Sequence, residues 1–194
     1  MINGLISVFM IHIIQRNEWI FKNEKIVEDR LMKLTTLCYI EKDNQYLMLH
    51  RTKKENDQSH DKWLGIGGKL EQDESPEDCM KREIMEETGL TVTSFTFAGV
   101  ITFVSDIWET EYMFLYVVDG FTGDMITCDE GDLQWVPKEK VMKLNLWEGD
   151  RIFINRLLNE EYGFSIRYVY AGDDLVEVTG TVTDEDWKII EEYR

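Results

Sequence analysis

Seven residues from Gly68 to Gly89 carry the chemistry most visible in this chain: Gly68-x5-Glu74-x7-Arg82-Glu83-x2-Glu86-Glu87-x-Gly89, with the aliphatic residues Ile84 after Glu83 and Leu90 after Gly89. If each fixed residue occurred at a background frequency of roughly 7%, the arrangement would arise at a given starting point with a chance on the order of 10⁻⁸. Coincidence is a poor explanation. Ser75 precedes Pro76, and Asp78 lies three positions on, so the spacing predicts a helix over 76–88 with Ser75 as its N-cap and proline in its first turn. Gly89 then supplies a left-handed stop.

On such a helix Glu83, Glu86 and Glu87 fall within an arc of about 100°, because positions three and four apart share a face. A cluster of glutamates can be a solvated acidic face. Here Cys79, Met80 and Ile84 flank the arc, so the carboxylates border the side that faces a core. Like charges so close oppose one another, and more so when partly desolvated. Arg82 offsets part of that charge, and a hard divalent cation with oxygen ligands such as Mg²⁺ is the natural remainder. Glu74 is either a further acidic ligand or a partner for Arg82. The preceding run Gly65-Ile66-Gly67-Gly68-Lys69 allows a bend and close approach to a ligand, although alone it would read as an ordinary tight turn.

This segment is the Nudix box, and it resembles the MutT/Nudix hydrolases, which cleave nucleoside diphosphates linked to a variable group using Mg²⁺ or Mn²⁺. The wider stretch 32–178 resembles, less stringently, the branch that hydrolyses oxidised purine nucleoside triphosphates such as 8-oxo-dGTP. The resemblance implies an α/β/α sandwich with a mixed central sheet and a catalytic loop-helix-loop. It also implies Glu83 and Glu87 as metal ligands, Glu86 as a ligand or the general base, and Arg82 as the group that orients them. The carbonyl of Gly67 would join the metal shell, and Lys69 would touch phosphate. Glu130, in Cys128-Asp129-Glu130-Gly131, aligns with an acid that contacts metal in some relatives; alternatively it is a turn acid.

In the oxidised-purine branch a tryptophan stacks on the base and an acid hydrogen-bonds its edge, which makes Trp147 and Asp150 the candidates here. Such an acid works protonated where an apolar pocket raises its pKa. The alternative is a core-edge tryptophan and an acid at a helix N-terminus. Gly149 stands where some relatives carry an acid, and Leu64 where some carry a base-reading asparagine, so purine class is better supported than 8-oxo preference. The implied products are a nucleoside monophosphate and pyrophosphate, and the implied role is nucleotide-pool sanitisation. The rivals are another diphosphate linkage, such as ADP-ribose, a dinucleoside polyphosphate or a capped RNA end, and a catalytically silent Nudix scaffold that senses nucleotides.

The elements that must position these residues read as one domain. A chain of 194 residues, 43% hydrophobic, is long enough for one sizeable core. Its formal charge of −17 opposes duplex nucleic acid but leaves a small metal-bound nucleoside triphosphate compatible. Cys38, Cys79 and Cys128 fit neither a disulfide framework nor a zinc site, which points to the cytoplasm. Monomer and homodimer are equally compatible.

Strands are expected at 34–41 and 45–51 around an Asp43-Asn44 turn, at 95–104, at 111–118 and at 133–136. A further hairpin is expected at 165–170 and 175–178. Helices are expected over 148–158 and from a Thr183 cap through Tyr193, and Thr52 to Lys62 reads as an exposed polar loop. Leu5 to Ile14 is apolar but too short to span a bilayer. Residues 1–31 are therefore expected to be an extension upstream of a domain over 32–194, with a misassigned start codon as its origin or an interfacial helix as the alternative.

Overall fold

The computed structural model describes residues 32–53 and 59–193. The expectations for residues 1–31, and for the middle of the polar loop after Thr52, lie outside the described residues. Strand β1 (Met32–Lys42) turns into β2 (Gln45–His50) through Asp43 and Asn44. Both turn residues are left-handed, with φ of 51° and 60°, a conformation that Asp and Asn tolerate better than other side chains. β1 pairs with the first half of β2. At the second half its place is taken by β3 (Trp63–Leu64), a two-residue strand that pairs with Leu49 and His50.

The chain beyond β3 does not bend away as a tight turn. Cys38↔Ile66 and Thr35↔Lys69 share one antiparallel register, so the glycine run lies along β1 like a strand, with Cys38 N bonded to Ile66 O at 2.7 Å and Thr36 N to Gly68 O at 2.9 Å. This corrects the turn reading of the run. A strand-like path is possible because a Cβ at Gly67 would strike the carbonyl oxygen of Thr36.

Helix α1 (Pro76–Thr88) follows, capped as its sequence predicts. The Ser75 hydroxyl accepts from Asp78 N at 3.2 Å and donates to the Asp78 carboxylate at 2.7 Å, and Gly89 closes the helix at φ 76°. β4 (Thr91–Ser105) and β5 (Thr110–Thr122) form a long hairpin. Both outrun the predicted strands, because Thr91 and Val92 pair with Thr122 and Phe121 across bulges that sequence alternation does not reveal. β6 (Asp132–Pro137) pairs with β2, and the one-turn helix α2 (Lys138–Val141), which was not anticipated, follows it. α3 (Asp150–Leu158), β7 (Phe164–Ala171), β8 (Asp174–Gly180) and α4 (Asp184–Tyr193) complete the described chain. α3 starts two residues later than expected. At α4 the expected Thr183 cap is reversed: the Thr183 amide and hydroxyl both donate to the Asp186 carboxylate, at 2.7 and 3.0 Å.

The main path of the sheet runs β3-β2-β1-β5-β4-β7-β8, antiparallel at β1–β2, β4–β5 and β7–β8 and parallel between β4 and β7, so it is mixed. Alternation along the strands divides the core in two. Tyr39, Tyr46, Met48, Leu115 and Val117 pack with Ile152, Phe153 and Ile190 of α3 and α4. Their neighbours Cys38, Ile40, Leu47, Leu49, Tyr116 and Val118 pack with Met80 and Ile84 of α1. Helices therefore cover both faces, which is the expected α/β sandwich. The buried pair Arg156–Asp186, 2.7 Å apart, ties α3 to α4. No helix among the described residues is long and apolar enough to cross a membrane.

Candidate active site

α1 buries Cys79, Met80, Ile84, Glu87 and Thr88 and exposes Met85, so its acidic arc does border the core face. The three carboxylates differ in access. Glu87 is 8% exposed, the Glu83 side chain 15% and the Glu86 side chain 59%. Glu83 lies directly against the glycine run, where a Cβ at Gly68 would collide with its carboxylate group. Beneath them on β1, the Cys38 thiol is pushed up by burial and then by the charges of Cys79, Glu87 and Glu83.

Arg82 gathers the cluster. Its Nε and Nη2 grip Glu74 at 2.9 and 3.0 Å, and Nη1 bonds Glu83 at 2.8 Å and Glu86 at 3.1 Å. Of the two readings open for Glu74, the structure shows the pairing with Arg82. The hydrogen bonds from Arg82, and then the Glu71 amide, pull the Glu74 carboxyl down to about 2. Arg82 Nη2 also bonds the Lys69 carbonyl at 3.1 Å, while Lys69 itself is exposed. Among the described residues no three His, Cys, Asp or Glu side chains are arranged as a ready metal cage, since the guanidinium stands among these carboxylates.

The glycine run has a second side. Gly67 and Gly68, with Thr36, line a cavity that continues to Trp147 and Asp150, between walls that include Leu37, Leu64, Phe103 and Met113. Trp147 meets the ring of Tyr170 edge-on at 5.6 Å, and its indole N–H donates to Ser59 Oγ at 3.2 Å. Lys62 Nζ sits 5.0 Å from its ring centroid. Asp150, 7% exposed in the first turn of α3, is raised to about 7 by burial and then by the charge of Glu111, against the lowering effects of Lys62 and Arg151. Glu130 forms an ion pair with Arg51, another residue lining the cavity, and Lys53 reaches the Cys128 carbonyl beside it.

A sequence profile for the NUDIX domain matches residues 32–157. The chain belongs to the Nudix family. It is 29% identical over 159 residues to the uncharacterized Nudix hydrolase YvcI of Bacillus subtilis, covering 79% of this chain and 89% of that protein. It is 32% identical over 117 residues to the oxidized purine nucleoside triphosphate hydrolase of Danio rerio, covering 59% of this chain and 74% of that one. Among solved structures it is similar to the MutT protein of Bacillus halodurans, with a TM-score of 0.69 and 26% identity over 77% of this chain and 97% of that one. As a Nudix hydrolase it acts on pyrophosphate linkages of nucleotide substrates, in a family that generally needs divalent metal ions.

The glycine run thus brings together two stretches far apart in sequence: the acids of the 67–87 segment on one side, and on the other a cavity lined by Trp147, just before α3, and Asp150 in its first turn. Several lining residues were invisible in the sequence. Arg51 ends a strand-like run and Ser59 lies in a polar loop, and neither carries a local signal. Glu111, whose Oε1 accepts from Thr35 Oγ1 at 2.7 Å, sits among β-strand residues. Only alternation could have flagged it, since it shares a strand face with Met113, which lines the same cavity.

Proposed function

We propose that this Nudix hydrolase converts purine nucleoside triphosphates, oxidised ones such as 8-oxo-dGTP among them, to the nucleoside monophosphate and pyrophosphate. Mg²⁺ is the proposed metal, with Mn²⁺ able to replace it. The observation that carries the reading is the shared wall at Gly67 and Gly68: one side faces the cavity of Trp147 and Asp150, and the other meets the Glu83 carboxylate. A single nucleotide can therefore lay its base in the cavity and its phosphates over the acidic helix. The name of the Danio rerio relative supports the same substrate class.

The donor set fits a hard cation. Glu83 and Glu87 offer carboxylate oxygens, and the strand register turns the carbonyl of Gly67 away from β1, because the bonded pairs are Cys38–Ile66 and Thr36–Gly68. These groups would hold the metal. Once bound, it supplies charge neutralisation on the phosphates and a lowered pKa for the attacking water.

The exposure of Glu86 supports the role of general base, accepting the proton of that water. Arg82 fixes the approach of Glu83 and Glu86 and is itself held by Glu74. Lys69 reaches toward phosphate. Glu130 joins the metal shell only if Arg51 releases it. On the base side, Trp147 offers a stacking face, and Asp150, its carboxyl raised to about 7, donates a hydrogen bond to the purine edge in its protonated form.

A panel of dGTP, 8-oxo-dGTP, dATP, dCTP and ADP-ribose tests this reading. Purine triphosphates are expected to be cleaved with release of pyrophosphate and the pyrimidine to be a poor substrate. Efficient ADP-ribose turnover with no purine triphosphatase activity would overturn it.

A further inference from the structure

The cavity holds a second carboxylate that neither the sequence motif nor the acidic helix accounts for. Glu111 enters from β5, half-buried, and lines the same cavity as Asp150. Its Oε1 is fixed by the hydroxyl of Thr35 at 2.7 Å, which orients the group and leaves Oε2 for a ligand. Tyr168, whose buried hydroxyl has no hydrogen-bond partner among the described residues, also lines the cavity. Two acids set among the aliphatic and aromatic walls of one cavity are suited to a polar ligand edge.

We propose that Glu111 is a specificity-determining residue, whose carboxylate acts with the Asp150 carboxyl as an acceptor and donor pair that reads N1 and the C6 substituent of a purine. This rests on the cavity being the base pocket. The two acids do different work. Asp150 is deep, and the groups that face it are Lys62 and Arg151, which favour its ionised form, Glu111, which opposes it, and the neutral phenols of Tyr39, Tyr168 and Tyr170. Burial together with the negative charge of Glu111 keeps a proton on Asp150 near neutrality, so Asp150 donates. Glu111 accepts. A 6-oxopurine answers with N1–H to Glu111 and O6 to Asp150, whereas a 6-aminopurine matches the pair only with its base turned over, N6–H to Glu111 and N1 to Asp150.

Glu111→Gln in the full chain keeps the shape and removes the charge, and the test is steady-state kinetics on dGTP and dATP across pH. KM is expected to rise about tenfold or more for both while kcat stays within about twofold, in line with loss of a charged hydrogen bond. The alkaline limb of kcat/KM should also move to lower pH, because Asp150 then gives up its proton more readily. Thr35→Val, which removes only the hydroxyl that orients Glu111, should shift KM in the same direction by a smaller factor, and it decides the matter if Glu111→Gln fails to fold in a urea titration.

Unchanged KM together with an unmoved alkaline limb, in a wild-type background that cleaves purines, would refute the role of Glu111. Absence of purine turnover in the wild type would instead refute the base-pocket reading on which it rests.

Discussion

Asp150→Asn should stabilise the protein by an amount that grows with pH, and the growth can be worked from its surroundings. The carboxyl is raised from an ordinary 3.8 to about 7, chiefly because it is buried. Between those values the folded chain holds a proton on Asp150 that the unfolded chain has released, so the contribution of Asp150 to stability falls as pH rises from about 4 and levels off above about 7. Below the unfolded value the neutral carboxyl costs nothing. Integrating the linkage gives a pH-dependent penalty of about 2.5 kcal/mol accumulated between pH 5 and pH 8.

Asparagine at this position carries no charge and escapes the penalty, and the difference between the two proteins cancels every other titrating group that the substitution leaves undisturbed. The assay is urea unfolding followed by far-UV circular dichroism at half-unit pH steps. Expected is a gap between variant and wild type that widens with pH and flattens above neutrality. Parallel stability curves across that range would refute the argument that Asp150 is buried with its proton.

Three further outcomes follow from the acidic helix and its surroundings. Glu83→Gln or Glu87→Gln should lower turnover by orders of magnitude while the circular dichroism spectrum stays that of the wild type, since each removes one charged oxygen donor; wild-type-like turnover in either would remove that residue from the metal site. Gly68→Ala should lower kcat on the order of 10²-fold, because the added methyl collides with the Glu83 carboxylate and displaces it. Trp147→Ala should raise KM for purine triphosphates and leave metal affinity, read by isothermal titration with Mn²⁺, unchanged; unaltered KM would return the indole to a packing role.

The reach of the sequence differed between the two halves of the site. α1 was legible to the residue because its signals are local: a serine cap, a proline in the first turn, a glycine stop and an acidic arc all lie within one segment. The Asp43-Asn44 turn was legible for the same reason. The strand-like course of Gly65 to Lys69 was not, because it depends on β1 offering a ladder to glycines that have no strand preference of their own. β3 has only two residues and the one-turn helix α2 only four, too few for a period to register.

Trp147 and Asp150 were reached through family resemblance and not from spacing, since nothing in their local sequence shows that α3 aims at the glycine run. Glu111 was missed altogether, since a single acid in a strand reads as surface. Its orientation depends on Thr35, 76 positions away.

In the proposed reaction a divalent ion held by the box glutamates promotes hydrolysis of the triphosphate of a purine nucleotide. Turnover of 8-oxo-dGTP and dGTP should be followed by separate detection of pyrophosphate and phosphate, before chelation, after exhaustive chelation and after return of Mg²⁺. Pyrophosphate and the nucleoside monophosphate are expected with metal, none after chelation, and full recovery on its return. Equal activity in the chelated protein would contradict a metal held by these glutamates.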